Sequence, residues 1–130
     1  MCSGIRFTDK QGNMYFGRNL DWSCSFGERV CITPGGYSPV SHFGAIERTE
    51  YPLIGMGIVA DGTPLYFDCA NSEGLAIAGL NFPGFAQYEA APVEGKTNVA
   101  AYEFPLWVAG LHKTVDEVEA ELPNVAIVDK

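Results

Sequence analysis

The chain has 130 residues, 47 % apolar and 18 % charged, which fits one globular domain rather than a disordered segment. Eight Lys plus Arg stand against sixteen Asp plus Glu, a net charge of −8. No basic stripe is available to neutralise phosphates, so nucleic acid and anionic membrane surfaces are disfavoured as partners. No apolar run is long enough to span a membrane, and no basic segment followed by an apolar run marks a signal peptide. The four cysteines lack CxxC spacing and the two histidines, His42 and His112, are isolated, which argues against a zinc site. The expectation is a cytoplasmic protein with reduced thiols, in which Cys24, Cys31 and Cys69 serve as small buried hydrophobes.

In chain order, Cys2 to Thr8 alternates as a strand, Asp9 to Asn13 is a turn cluster, and Met14 to Arg18 returns, so the first residues form a hairpin. Arg29 to Thr33 is a short β-branched strand ended by Pro34-Gly35-Gly36, and Ser38 to Tyr51 reads as loop. Leu53 to Ala60 is a strand, Asp61 to Pro64 a turn, and Leu65 to Ala70 another strand. Asn71 to Gly74 turns the chain into a returning strand, Leu75 to Leu80, that ends at Asn81. Residues 82–98 read as a loop rich in Pro and Gly. Ala100 to Leu111 has helical composition, and Pro105 implies either a helix start near it or a kink. Thr114 and Glu117 form a capping box for a second helix over Val115 to Leu122, stopped by Pro123-Asn124, and Val125 to Val128 is a final strand. Strands followed by helices imply an α+β layered fold.

Three features carry chemistry. Cys2 directly follows the initiator Met1; removal of Met1 would leave a thiol and a free α-amine on one residue. Model values near ~7.7–8.0 for the amine and ~8.5 for the thiol suit proton exchange around neutral pH, so the amine can act as the base for its own nucleophile. Arg18 and Asp21 place a cation and an anion at the end of the returning strand; alone, such a pair reads as a surface ion pair, and what lifts it is the hairpin that brings residues 16–18 alongside Cys2. Asn81 closes an apolar strand, where its amide or N–H can face a developing oxyanion or simply cap a turn.

Five segments together resemble the choloylglycine hydrolases, the conjugated bile acid hydrolases of the N-terminal-nucleophile superfamily. They are Met1-Cys2-Ser3-Gly4-Ile5-Arg6-Phe7, Tyr15 to Trp22, Tyr66-Phe67-Asp68-Cys69-Ala70-Asn71, Gly74 to Gly84, and Glu103-Phe104-Pro105-Leu106-Trp107-Val108. The resemblance implies an αββα sandwich of which residues 1–130 supply only the N-terminal portion of a single domain, members being more than twice as long. It assigns Cys2 as nucleophile, Arg18 and Asp21 as the charged pair around it, and Asn81 to the oxyanion hole. Leu20, Trp22, Cys24 and Phe26 fall on a loop that walls the steroid pocket, although Trp22 and Phe26 read equally as core aromatics. A second asparagine and a second arginine of the family site would come from sequence beyond Lys130. The implied reaction is hydrolysis of the amide bond of glycine- or taurine-conjugated bile salts, without metal or organic cofactor, in a homotetramer when full length. Penicillin V acylases are sister enzymes, and Asn81, where those typically carry Tyr, favours bile salts. A non-catalytic truncated fragment is the remaining alternative. Nothing in the sequence separates glycine from taurine conjugates.

Overall fold

A computed structural model describes residues 2–80 and 82–130, so the expectations at Met1 and Asn81 lie outside the described residues. Strands β1 (Ser3–Thr8) and β2 (Met14–Asn19) form the expected antiparallel hairpin, with Gly4 opposite Arg18 and Ser3 opposite Asn19. The Asp9 carboxylate accepts hydrogen bonds from the backbone N–H groups of Gln11 (2.9 Å) and Asn13 (2.8 Å), which sets the turn and therefore the register. Because side chains alternate across a strand, Cys2, Gly4, Arg18 and Leu20 share one face of this hairpin.

Strands β3 (Arg29–Thr33), β4 (Leu53–Ala60), β5 (Thr63–Asn71) and β6 (Ala76–Ala78) form an antiparallel sheet in that order. Its strands match the sequence expectations, except that β5 begins at Thr63, inside the expected Asp61 to Pro64 turn, and runs on to Asn71, and that β6 covers only the middle of Leu75–Leu80. Residues 34–52 are loop, as expected, but the loop contributes buried side chains: Ile46 is 2 % exposed and Thr49 1 %. Helix α1 (Phe104–Leu111) starts with Pro105 in its first turn, where the missing N–H costs nothing, and follows a short 3₁₀ turn, Ala101–Glu103. Helix α2 (Val115–Glu121) is capped by the Thr114 hydroxyl, which accepts from the Glu117 N–H at 3.2 Å. Pro123 does not end the chain's helical path at once; a 3₁₀ turn, Leu122–Asn124, intervenes before the final strand.

The expectation of loop throughout 82–98 is corrected by β7 (Thr97–Ala100), which pairs parallel with β8 (Val125–Val128). Four residues of mixed character hold their strand form through a distant partner, a contact that local periodicity cannot show.

One face of the four-stranded sheet is covered. Cys31, Leu53, Tyr66 and Cys69 are buried on it, as are Leu106, Trp107 and Val108 of α1. The opposite face is not: Val30, Ile32 and Ile54 are 62 %, 74 % and 51 % exposed, and Ile32 pairs directly with Ile54 across β3 and β4. Strands β4 and β5 approach so closely that a Cβ on Gly55 would lie 2.0 Å from the Asp68 carbonyl oxygen. A β-bulge interrupts their register: Met56 faces Asp68 and Gly57 faces Tyr66, leaving Phe67 as the extra residue.

Asn71 binds the two layers together. Its amide donates to the carbonyls of Ala109 (2.9 Å) and His112 (2.7 Å) at the end of α1, and its carbonyl accepts from Glu73 and Leu75 N–H at 3.0 Å each. Asn71→Leu, similar in size but without polar atoms, leaves these partners unbonded; denaturant titration of the intact protein is expected to show a loss of about 3 kcal/mol or more. Burial raises the Cys69 thiol from 9.0 to about 12, with the Asp68 charge adding to it, and burial raises the Tyr66 phenol from 10.0 to about 12. Both groups keep their protons in the folded chain at pH values where the unfolded chain has released them, so stability falls as pH rises above 9.0. Melting temperatures measured on either side of that pH are expected to drop on the alkaline side, and less so in Cys69→Ala.

Candidate active site

The hairpin register sets the site. Cys2 is half-buried at the open end of β1, and Arg18 projects from the same face of β2. Both line a cleft of about 640 Å³, within the usual size range for small-molecule sites. Its walls are largely apolar: Leu20, Trp22 and Phe26 come from the loop after β2, Phe67 from the bulge in β5, and Leu80 from the segment after β6. Tyr88, Tyr102 and Lys130 complete one rim.

Arg18 is the electrostatic centre. Its side chain is only 5 % exposed, Nη2 donates to the Gly79 carbonyl at 2.5 Å, and Nε stands 3.6 Å from Asp68 Oδ2. Neither Nε nor Nη1 has a hydrogen-bond partner among the described residues, although both are buried. A buried donor left open in a cleft is a binding feature when an acceptor on a ligand completes it. The surface ion-pair alternative for Arg18 therefore fails on burial.

The structure gathers Cys2, Arg18, Leu20, Trp22 and Phe26 around one space. Trp22 and Phe26 are 48 % and 46 % exposed, so they are not core aromatics; their rings stand 6.0 Å apart, and Phe26 meets Phe67 at 5.7 Å. Cys24 is exposed, which corrects the expectation of a buried hydrophobe, and it lines a neighbouring groove that shares Leu20 and Trp22 with the Cys2 cleft. The reason is geometric: a loop outside any strand does not alternate, and Cys24 turns away between Trp22 and Phe26. Asp21 sits in the same loop, between Leu20 and Trp22. Asn81 lies outside the described residues.

Sequence reasoning missed Phe67, Leu80, Tyr88, Ala101, Tyr102 and Lys130 in the lining, and Asp68 beside Arg18. Burial, reinforced by the neighbouring Glu103 carboxylate, pushes the Tyr102 phenol up. Among the described residues no group of three or more His, Cys, Asp or Glu side chains converges, and no helix is long and apolar enough to cross a membrane.

Comparison with known proteins agrees with this geometry. Residues 2–130 match the model of the linear amide C–N hydrolases, choloylglycine hydrolase family. The chain is 56 % identical over 131 residues to a bile salt hydrolase/transferase of Bifidobacterium longum subsp. longum. It is 53 % identical over 130 residues to a conjugated bile acid hydrolase of Lactobacillus acidophilus. It spans all of its own length but 41 % of the length of each of these curated relatives. The crystal structure of the C2A mutant of the Clostridium perfringens conjugated bile acid hydrolase superposes with a TM-score of 0.93 at 38 % identity, covering 100 % of this chain and 40 % of that one. The R18L variant of the same enzyme gives 0.92 at 37 %. The expected N-terminal-nucleophile fold, present as its N-terminal portion, is thereby borne out.

Thiol accessibility offers a direct check on this arrangement. Iodoacetamide applied to the folded protein at about pH 8 is expected to label Cys24 and Cys2, and to spare Cys31 and Cys69 until denaturant is added. Peptide mass spectrometry reads the order.

Proposed function

Because the chain belongs to the choloylglycine hydrolase family of linear amide C–N hydrolases, we propose that the protein hydrolyses the amide bond of glycine- or taurine-conjugated bile salts, with Cys2 as nucleophile once Met1 is removed. The observation that carries this reading is the shared cleft: a half-buried cysteine next to the chain's start, a buried arginine with an open donor, and apolar walls sized for a rigid hydrocarbon body. The relatives' names add the substrate class.

The reaction proceeds in two halves. The α-amine of Cys2 takes the thiol proton, and the thiolate attacks the carbonyl carbon of the conjugate. The C=O π pair moves onto oxygen, and the resulting oxyanion is stabilised by hydrogen-bond donors, among which we place Asn81. Collapse breaks the C–N bond; the protonated amine returns its proton to the departing nitrogen, and glycine or taurine leaves. A water molecule then attacks the thioester carbonyl, its proton passes to the α-amine, and the C–S bond breaks. The bile acid is released and the thiol restored.

Arg18, with Asp21 in the loop that follows it, supplies the local charge. A protein of net charge −8 that takes an anionic substrate needs a positive group near the reacting centre, and a desolvated guanidinium acts there with little screening by salt. Leu20, Trp22 and Phe26 wall the steroid, joined by Phe67 and Leu80. In this reading residues 1–130 are the N-terminal portion of a single longer domain, and the assembled enzyme is a cytoplasmic homotetramer without cofactor or nucleic-acid partner. The acidic charge balance speaks against a nucleic-acid partner.

The test is turnover of glycocholate and taurocholate by the intact protein, followed as released amino acid, with penicillin V run in parallel. Cys2→Ala and a variant that retains Met1 are each expected to lose activity by about a thousandfold or more. Equal turnover by the Met1-retaining form would overturn the mechanism, faster penicillin V cleavage would shift the substrate class, and bile salt binding without consumption would favour a non-catalytic fragment.

A further inference from the structure

Asp68 is the one acidic residue in β5. Its position is unusual. Tyr66 and Cys69 both point toward α1 and are buried, at 4 % and 3 % exposed. Strict alternation would send two residues separated by three positions to opposite faces. The bulge at Phe67 absorbs the difference, so that Phe67 and Asp68, adjacent in sequence, both leave the helix-covered face. Phe67 reaches the cleft wall. Asp68 is held in two places: Oδ1 accepts from the Met56 N–H at 3.3 Å, and Oδ2 stands 3.6 Å from Arg18 Nε. The strand carrying it is pressed against β4 at Gly55, where no side chain would fit.

We propose that Asp68, delivered by the β-bulge at Phe67, is the positioning residue for Arg18. The guanidinium is planar, so fixing two of its nitrogens fixes the third. Asp68 sets the Nε edge and the Gly79 carbonyl sets Nη2. Nη1 then has one direction left; like Nε it is buried without a hydrogen-bond partner among the described residues, and it has no carboxylate beside it as Nε has, in the cleft that Arg18 shares with Cys2. Asp68 is not itself among the residues that line the cleft; it acts through Arg18. The inference rests on the reading of Cys2 and Arg18 as the reacting pair.

A double-mutant cycle in the intact protein tests it. Asp68→Asn is nearly isosteric and is expected to lower kcat/KM for glycocholate by about a hundredfold, through misplacement of the guanidinium. In an Arg18→Leu background the same change is expected to alter the rate by less than about threefold, because the group it serves is gone. Asp68→Glu, which keeps the charge, is expected to recover part of the loss. Penalties that multiply, or an Asp68→Asn enzyme of full activity, overturn the proposal. If Asp68→Asn loses its cooperative melt, Asp68→Glu takes its place in the cycle. The rate of Cys2 alkylation by iodoacetamide, measured across the same variants, gives a readout independent of substrate. A wild type that consumes no conjugated bile salt refutes the proposed function alone, and non-additive alkylation rates then still support the Asp68–Arg18 coupling, whereas additive rates refute it.

Discussion

A guanidinium taken out of water is the constraint around which this structure is arranged. Removing a charge from solvent is unfavourable unless partners replace the lost hydration. Arg18 receives one carbonyl hydrogen bond, at Nη2, and a carboxylate 3.6 Å from Nε; neither Nε nor Nη1 has a hydrogen-bond partner among the described residues. Each partner comes from a different part of the chain: Arg18 from the first hairpin, Asp68 from the bulge in β5, Gly79 from the segment after β6. The ion pair therefore joins the hairpin bearing Cys2 to the central sheet, and the bulge in β5 serves that join. Such a residual imbalance is characteristic of sites that bind a ligand rather than of sites that only stabilise a fold.

The sheet itself is asymmetric. Helix α1 covers one face with Leu106, Trp107 and Val108, and Trp107 is 1 % exposed. The other face carries the cleft at one end and bare Val30, Ile32 and Ile54 at the other. Relatives of this chain are more than twice its length, and the αββα arrangement expected from the sequence puts a second sheet against such a face.

Much of the fold was legible in the sequence, because it rests on local signals. The Asp9 to Asn13 turn, the Pro34-Gly35-Gly36 stop and the Thr114 cap each act within a few residues of themselves. Strand β7 was not legible, since its pairing with β8 is between distant segments. In the site, Cys2 and Arg18 were legible once the hairpin was assumed, because its register fixes which side chains share a face. Trp22 and Phe26 were ambiguous between core and cleft, and only burial decides that. Cys24 went wrong because loop residues obey no alternation. Asp68 was invisible for a subtler reason: in an unbulged strand it would lie beneath the helix, and the signal for a bulge is a skipped residue in a register that requires both strands to be seen.

The four hydrogen bonds of Asn71 have a consequence for how the molecule opens. They connect the β5–β6 turn to the last carbonyls of α1, so neither end can loosen without unbonding the other. Short helices normally fray from their termini, but here the terminus is tethered to a strand corner. The helix and the two strands beneath it should thus exchange their amide hydrogens as one cooperative block, with the slowest exchange in the protein, while the hairpin that holds the nucleophile is left to breathe on its own faster clock.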